Sequence, residues 1–350
     1  MPHAETHRSG IEGIRDLAGR LAEGRIVKAE AIHGGRNNAI FRVTRDDGEK
    51  FAFKRYVTPR GDGRERLDAE YRGLAFLADC GTSAVPRPIA ADRKNGVALY
   101  EWISGGPVER PTVGDVEAAA DFVLELRKYS AFARARTMPK AREACLSAAD
   151  VISQVHARVL RLADAAKGYP ALADFVHREF VAEFTAHALD TRWGFEKLGI
   201  DSRLDLDPER QILSPSDFGF HNALRGPDGG VVFVDFEYFG WDDPVKLMAD
   251  FVLHPGMNLS PEMKRRFLRR LLPAFVARDE TFLTRMNLLF PLFGLRWCMI
   301  VLNEFLPERW ARRAFAGAID RTAEQTRQLA KARRMLRDLK NESLEFPLDG

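Results

Sequence analysis

A chain of 350 residues is long enough to bury a large core and to divide into two lobes, and with 45% hydrophobic and 29% charged residues it is neither disordered nor fibrous. The formal charge of +3 implies no polyanionic partner, and short basic clusters such as Lys264–Arg266 and Lys331–Arg334 read as solvated helix faces, so no nucleic-acid partner is expected. Cys80, Cys145 and Cys298 are odd in number and far apart, with no CxxC spacing, and the N-terminus MPHAETHRSG lacks the apolar segment of a signal peptide; both point to a reducing cytoplasm.

The first predicted element is a short helix over 11–21, with Ile14, Leu17, Ala18 and Leu21 at helical spacing. A strand at Arg25–Ile32 leads into His33-Gly34-Gly35-Arg36-Asn37-Asn38, and a second strand, Ala39–Thr44, follows at once. Strand, glycine loop, strand suits a phosphate clamp, because glycine lets backbone amides come close to phosphate; the same run also makes an ordinary Gly-Gly hairpin turn. Lys50–Val57 alternates, with Phe51 and Phe53 facing one way and Ala52, Lys54 and Tyr56 the other. A helix over 64–78 carries Leu67, Tyr71, Leu74 and Ala78 on one face and Glu70 at the edge of that stripe. An unpaired carboxylate there is costly, and Lys54 is its natural partner; a snorkelling Lys and an exposed Glu form the alternative.

Val97–Ile103 reads as a strand that runs into Ser104-Gly105-Gly106-Pro107, the kind of break that ends a lobe or begins a linker. Long helical patterns then fill Val116–Lys128, Glu143–Asp164 and Leu172–Lys197, and His156, His177 and His187 lie on them without H-x-x-x-H metal spacing. Helices resume from Pro244. Leu288–Leu302, broken by Pro291, Gly294 and Arg296, falls short of the roughly 20 residues of a membrane span and predicts a buried helix, so no membrane partner is expected. Trp241, Trp297 and Trp310 are available either to line a substrate pocket or to fill the core.

The chemistry concentrates in LSPSDFGFHNALRGPDGGVVFVDFEYFGWDD at Leu213–Asp243. Asp217 stands in a polar loop, Asn222 precedes the short run Ala223–Arg225, a Gly-Pro-Asp-Gly-Gly turn follows, and Asp235 closes the buried strand Val231–Val234. In a hairpin, Asn222 and Asp235 are symmetric about the turn and arrive at its open end together. An amide oxygen beside a carboxylate offers hard ligands for magnesium, with Asp217 placed to accept a hydroxyl proton. Singly, each is an ordinary turn residue. Together they suggest metal-assisted phosphoryl transfer.

With D-x-x-x-x-N before the hairpin and Asp235-Phe236-Glu237-Tyr238 after it, the chain resembles the aminoglycoside phosphotransferase and choline kinase superfamily over roughly residues 20–310. The resemblance implies a two-lobed α+β protein-kinase-like fold: a small antiparallel β lobe within 1–103 and a large, mainly helical lobe over 104–350. It implies ATP and Mg²⁺ as cofactors and a hydroxyl of a small molecule as acceptor, such as a sugar, an amino alcohol or an aminoglycoside. In that frame Asp217 is the catalytic residue, and Asn222, Asp235 and Glu237 are metal ligands. Gly34, Gly35, Asn37 and Asn38 form the nucleotide loop, Lys54 held by Glu70 meets phosphate, and the backbone at Glu101 and Ile103 reads adenine. The long helical insertion between Ile103 and Asp217, and the arrival of Asp243-Pro244 soon after Asp235 with no A-P-E motif, leave no activation segment for a protein substrate. The oligomeric state is left open. Two positions depart from the family pattern: Pro215 replaces the His two before the catalytic Asp, and Leu247 stands where an Asp is usual, with Asp250 available as a brace. Asp217, Asn222 and Asp235 are all retained, so an active enzyme stays the expectation; the two departures motivate, as the alternative, a catalytically impaired nucleotide-binding module.

Overall fold

The computed structural model describes residues 2–32, 38–56, 63–307 and 320–341. In chain order the elements are α1 (Pro2–Leu21), β1 (Ile26–Ile32), β2 (Ala39–Arg45), β3 (Lys50–Arg55), α2 (Gly63–Asp79), β4 (Pro88–Asp92), β5 (Val97–Glu101), β6 (Gly106–Pro107), α3 (Val113–Ser130) and α4 (Ala148–Ala165). There follow α5 (Pro170–Asp174), α6 (Val181–Lys197), β7 (Ile212–Ser214), β8 (Ala223–Arg225), β9 (Val231–Phe233), β10 (Gly240–Asp242), α7 (Pro244–Leu253), α8 (Pro261–Val276), α9 (Phe282–Val301) and a last helix, α10 (Arg321–Asn341). Two compact units result, one of residues 1–143 with 213–241, the other of 144–212 with 242–350.

The first unit is built on an antiparallel sheet in the order β1-β2-β3-β5-β4. Alternation along β3 divides its two faces. Phe51 and Phe53 pack with Val43, Val97 and Leu99 against Ile14 and Ala18 of α1 and Ala22 just after it. Lys54 and Tyr56 point the other way and reach Glu70 of α2. A second small sheet, β6-β8-β9, carries the hairpin of the central stretch. The ring of Phe122 on α3 stacks on Phe233 at 5.0 Å between centroids and meets Phe218 and Phe236, so an aromatic cluster underlies both the loop before the hairpin and the turn after it.

The second unit is helical and gathers around α9, against which α4, α6, α7 and α10 pack. Its span Phe282–Phe305 has the length and apolarity of a membrane helix, but 72% of that window is buried inside the fold, so α9 is a core helix. Two of its buried cations are matched in place: Arg285 by Asp243 and Asp279, and Arg296 by Asp250. Helix starts differ from the periodicity where caps decide them. The pattern expected from Glu143 begins at Ala148, because Ser147 and Asp150 form a capping box. The pattern expected as one helix over 172–197 contains a π-helical turn at Phe175–Phe180, which keeps Phe180 and Phe184 on the buried side after Phe175 and Val176.

Gly73 of α2 packs closely against the segment after the hairpin: a Cβ there would lie 2.6 Å from the ring of Phe239. Gly73→Ala is therefore expected to destabilise the protein by about 1–3 kcal/mol, the usual cost of overpacking a filled core. Urea unfolding should show a lower midpoint at an unchanged slope; an unshifted midpoint would mean that the helix moves aside freely.

Candidate active site

Lys54 is the centre of the site. β3 delivers it to the α2 face of the sheet, where its side chain is only 6% exposed, and its Nζ lies 2.6 Å from Glu70 Oε2 and 2.6 Å from Asp235 Oδ1. The expected Lys54–Glu70 pair thus forms, with Asp235 as a third member. Glu70 is itself a hub. Its Oε2 also accepts from the Tyr56 hydroxyl at 2.6 Å, and its Oε1 from the Phe236 backbone N–H at 3.3 Å. Burial pushes the phenols of Tyr56 and Tyr100 well above their ordinary range, so both stay protonated. The Tyr56 proton goes to Glu70, which leaves Tyr100 to donate to Tyr56 across their 2.7 Å contact. Burial alone would push the Lys54 ammonium down, but the carboxylates of Asp235, Glu70 and Glu237 outweigh it and raise it. Burial raises the Glu70 carboxyl, against the pull of Lys54.

The hairpin supplies the other residues, one position out of the expected register. The ladder pairs Ala223 with Phe233 and Leu224 with Val232, and the next link is the Val234 N–H donating to Asn222 O at 2.9 Å. Val234, and not Asp235, therefore stands opposite Asn222. Asp235 lies just beyond the ladder with φ +67°, in the left-handed region that Asp tolerates better than most residues. That turn, and not strand alternation, brings its carboxylate to Lys54. Asn222 donates its Nδ2–H to the Asp217 carbonyl at 3.0 Å, which ties the loop to the hairpin through one side chain. Ser216, with φ +66°, precedes Asp217, whose side chain is 42% exposed and accepts from His221 Nε2 at 3.0 Å.

The remaining expected residues fall in three places. Gly34, Gly35 and Asn37 lie outside the described residues, as does Trp310. Asn38 donates to Glu237 Oε2 at 2.6 Å, and the same oxygen takes Arg66 Nη1 at 3.0 Å, so Glu237, 2% exposed, faces an amide and a cation. Glu101 ends β5 with its carboxylate accepting from the backbone and side chain of Arg87, and Ile103 follows it in the next segment. Trp241 donates to Ala135 O, and Trp297 is a buried residue donating to Asp250. Asp250, expected as a brace for the catalytic loop, binds Lys246, Arg296 and Trp297 within the helical unit, and Leu247 beside it is buried.

Sequence reasoning passed over Arg66, Tyr56 and His221. Arg66 lies four residues before Glu70 on the same helix face, and Tyr56 alternates with Lys54, so both had a spacing signal. His221 sits in a 3₁₀ turn of three residues, Phe220–Asn222, too short to show a period.

A small antiparallel sheet, a larger helical part and a Lys–Glu pair aimed at an Asp beyond a hairpin define the kinase-like fold. The chain belongs to the phosphotransferase enzyme family, whose profile it matches over residues 28–281. No curated protein matches the sequence. Among solved structures the fold is similar to a spectinomycin phosphotransferase in complex with ADP and spectinomycin (TM-score 0.63, 11% identity, 95% of this chain and 98% of that one). It is also similar to a choline kinase of Streptococcus pneumoniae (TM-score 0.57, 13% identity, 95% and 99%). An ethanolamine kinase of Plasmodium vivax aligns over 89% of this chain and 83% of its own (TM-score 0.54, 14% identity).

Because one carboxylate serves Lys54, Tyr56 and Phe236, removing Lys54 leaves a buried carboxylate with only neutral donors, and removing Glu70 leaves Tyr56 and Phe236 without their acceptor and Lys54 with Asp235 alone, at a cost of up to about 3–5 kcal/mol. Lys54→Ala and Glu70→Ala are each expected to lower the urea midpoint strongly. The double variant should be less destabilised than the sum by more than about 1 kcal/mol. Additive losses would deny the coupling.

Proposed function

We propose that the protein catalyses ATP- and Mg²⁺-dependent transfer of a phosphoryl group to a hydroxyl of a small molecule. The observation that carries this reading is Lys54 Nζ held 2.6 Å from both Glu70 and Asp235. An ammonium fixed between a structural carboxylate and a half-exposed one suits phosphate oxygens beside a cation. The donor set also fits magnesium. Asn222 spends its Nδ2 on the Asp217 carbonyl and keeps Oδ1 as an acceptor. Asp235 spends Oδ1 on Lys54 and keeps Oδ2. Both are hard oxygen ligands. Bound Mg²⁺·ATP would supply the phosphoryl group and neutralise the charge of its transfer. Asp217, 42% exposed, takes the proton of the acceptor hydroxyl.

On this reading residues 1–103 are the nucleotide-binding lobe and 104–350 the catalytic lobe. Gly34, Gly35, Asn37 and Asn38 lie at the phosphates and the Glu101–Ile103 backbone at the adenine. Asn222 and Asp235 are the direct metal ligands. Glu237, bound by Arg66 and Asn38, acts behind them by holding Asn38, the residue that follows the glycine loop, against the metal-binding turn. A polar alcohol such as a sugar, amino alcohol or aminoglycoside is the acceptor class.

Labelled ATP and a panel of hydroxylated metabolites test the reading. At least one member should accept label, and generic protein substrates should take none; labelled protein, or nucleotide binding with no turnover anywhere in the panel, would count against it. Asp217→Asn should lower kcat by about 10²–10⁴-fold, the span of general acid–base catalysis, and leave nucleotide affinity within a few-fold. Asp235→Ala should instead weaken Mg²⁺-dependent nucleotide binding, as read by titration calorimetry with Mg·ADP. The reverse assignment of these two effects would overturn the roles.

A further inference from the structure

We propose that His221 is the positioning residue that fixes the Asp217 carboxylate for proton acceptance, an inference that rests on the phosphotransfer reading above. The two residues meet side chain to side chain, His221 Nε2 to Asp217 Oδ1 at 3.0 Å. An ionised carboxylate only accepts, so the imidazole donates from Nε2–H. That contact engages Oδ1 of a carboxylate whose side chain is 42% exposed, and so limits its rotation where an acceptor hydroxyl can reach it.

His221 is itself held from both sides. Phe220 before it is 3% exposed and Phe218 is 4% exposed, the latter with its ring 4.7 Å from that of Phe233. Asn222 after it is pinned through Nδ2 to the Asp217 carbonyl and through its own carbonyl to Val234. The short 3₁₀ turn, closed by the Asn222 N–H to Gly219 O at 3.0 Å, therefore presents the imidazole from a fixed backbone. Neighbouring residues thus grip one aspartate at two points: Asn222 holds its main chain and His221 its side chain. On the other flank Pro215 brings no polar side chain to the task, and Ser216 turns the chain at φ +66° with its N–H given to Ser214 Oγ. The His221 contact thus reaches the carboxylate from the C-terminal side of the loop.

Two variants separate positioning from folding. His221→Leu removes the donor, and His221→Gln puts an amide N–H at about the reach of Nε2. With the best acceptor of the metabolite panel, His221→Leu is expected to lower kcat about 10- to 100-fold, the scale of a misplaced reacting group. Affinity for Mg·ADP should stay within threefold, and His221→Gln should recover most of the rate. Turnover of His221→Leu within twofold of the parent, a glutamine variant as slow as the leucine one, or Mg·ADP affinity falling in step with kcat would overturn the proposal. Histidine-selective ¹⁵N NMR of the whole protein reads the contact without any acceptor. The His221 resonance, assigned by its loss in His221→Gln, should report the Nε2–H tautomer and become a mixture in Asp217→Ala. An unchanged tautomer in Asp217→Ala overturns the proposal, whatever the panel gives. If no panel member is phosphorylated but the tautomer responds, the phosphotransfer reading fails while the His221–Asp217 contact stands.

Discussion

The first unit depends on the Glu70 carboxylate. Taking a charge out of water is worthwhile only where its lone pairs are used, and here both oxygens are: one by Lys54 and Tyr56, the other by the Phe236 N–H. Three segments far apart in sequence, β3, α2 and the turn after the hairpin, are thereby set by one group on one helix. Hydrophobic packing could hold these segments together with a tolerance of an ångström or so. Short bonds to a buried ion fix direction as well as distance, as the phosphate contact proposed for Lys54 requires. The α1 face of the same sheet, filled by Phe51, Phe53 and Val43, does the bulk work of burial and carries no charge in its core cluster.

The helical unit uses the same device for a different end. Lys246 is 1% exposed, with Asp242 Oδ2 at 2.7 Å and Asp250 Oδ2 at 3.3 Å, while Arg296 and Trp297 share Asp250. Asp242 Oδ1 in turn receives the backbone N–H groups of Cys145 and Asp243. Such networks add little net stability over well-packed apolar groups. They do fix which turn of α7 faces which turn of α9, a choice that apolar residues such as Leu247, Met248 and Phe251 leave open. Burial pushes the Cys145 thiol up, and that of Cys298 to about 12, so both behave as apolar filler in this core.

Much of this was legible in the residues, and the gaps have physical causes. Alternation in Lys50–Val57 and the stripe on α2 pointed to Lys54 and Glu70 because both elements are regular, and regular elements have periods to read. The hairpin was legible from its turn residues, but its register was not. Symmetry about the turn put Asp235 opposite Asn222, whereas the real ladder is offset by one and Asp235 reaches Lys54 through a left-handed residue that no period describes. Glu237 looked like an open ligand in Asp-Phe-Glu-Tyr; its ties to Arg66 and Asn38 span 171 and 199 positions, distances over which sequence spacing carries no information. Helix starts moved to Val113 and Ala148 because capping boxes, and not the apolar stripe, decide where a helix begins.

The offset register also bears on how such a chain can change in length. Side chains in β8 and β9 alternate, so inserting or deleting one residue within either three-residue strand would turn Asn222 or Asp235 to the opposite face and separate both from Lys54 and Asp217. The tip between them is under no such constraint: Pro227 to Gly230 project outward, and the Gly226–Gly230 bond closes the loop above the ladder. Insertions and deletions in descendants of this sequence should therefore collect at the tip, in any number, while the six strand positions beneath it keep their count.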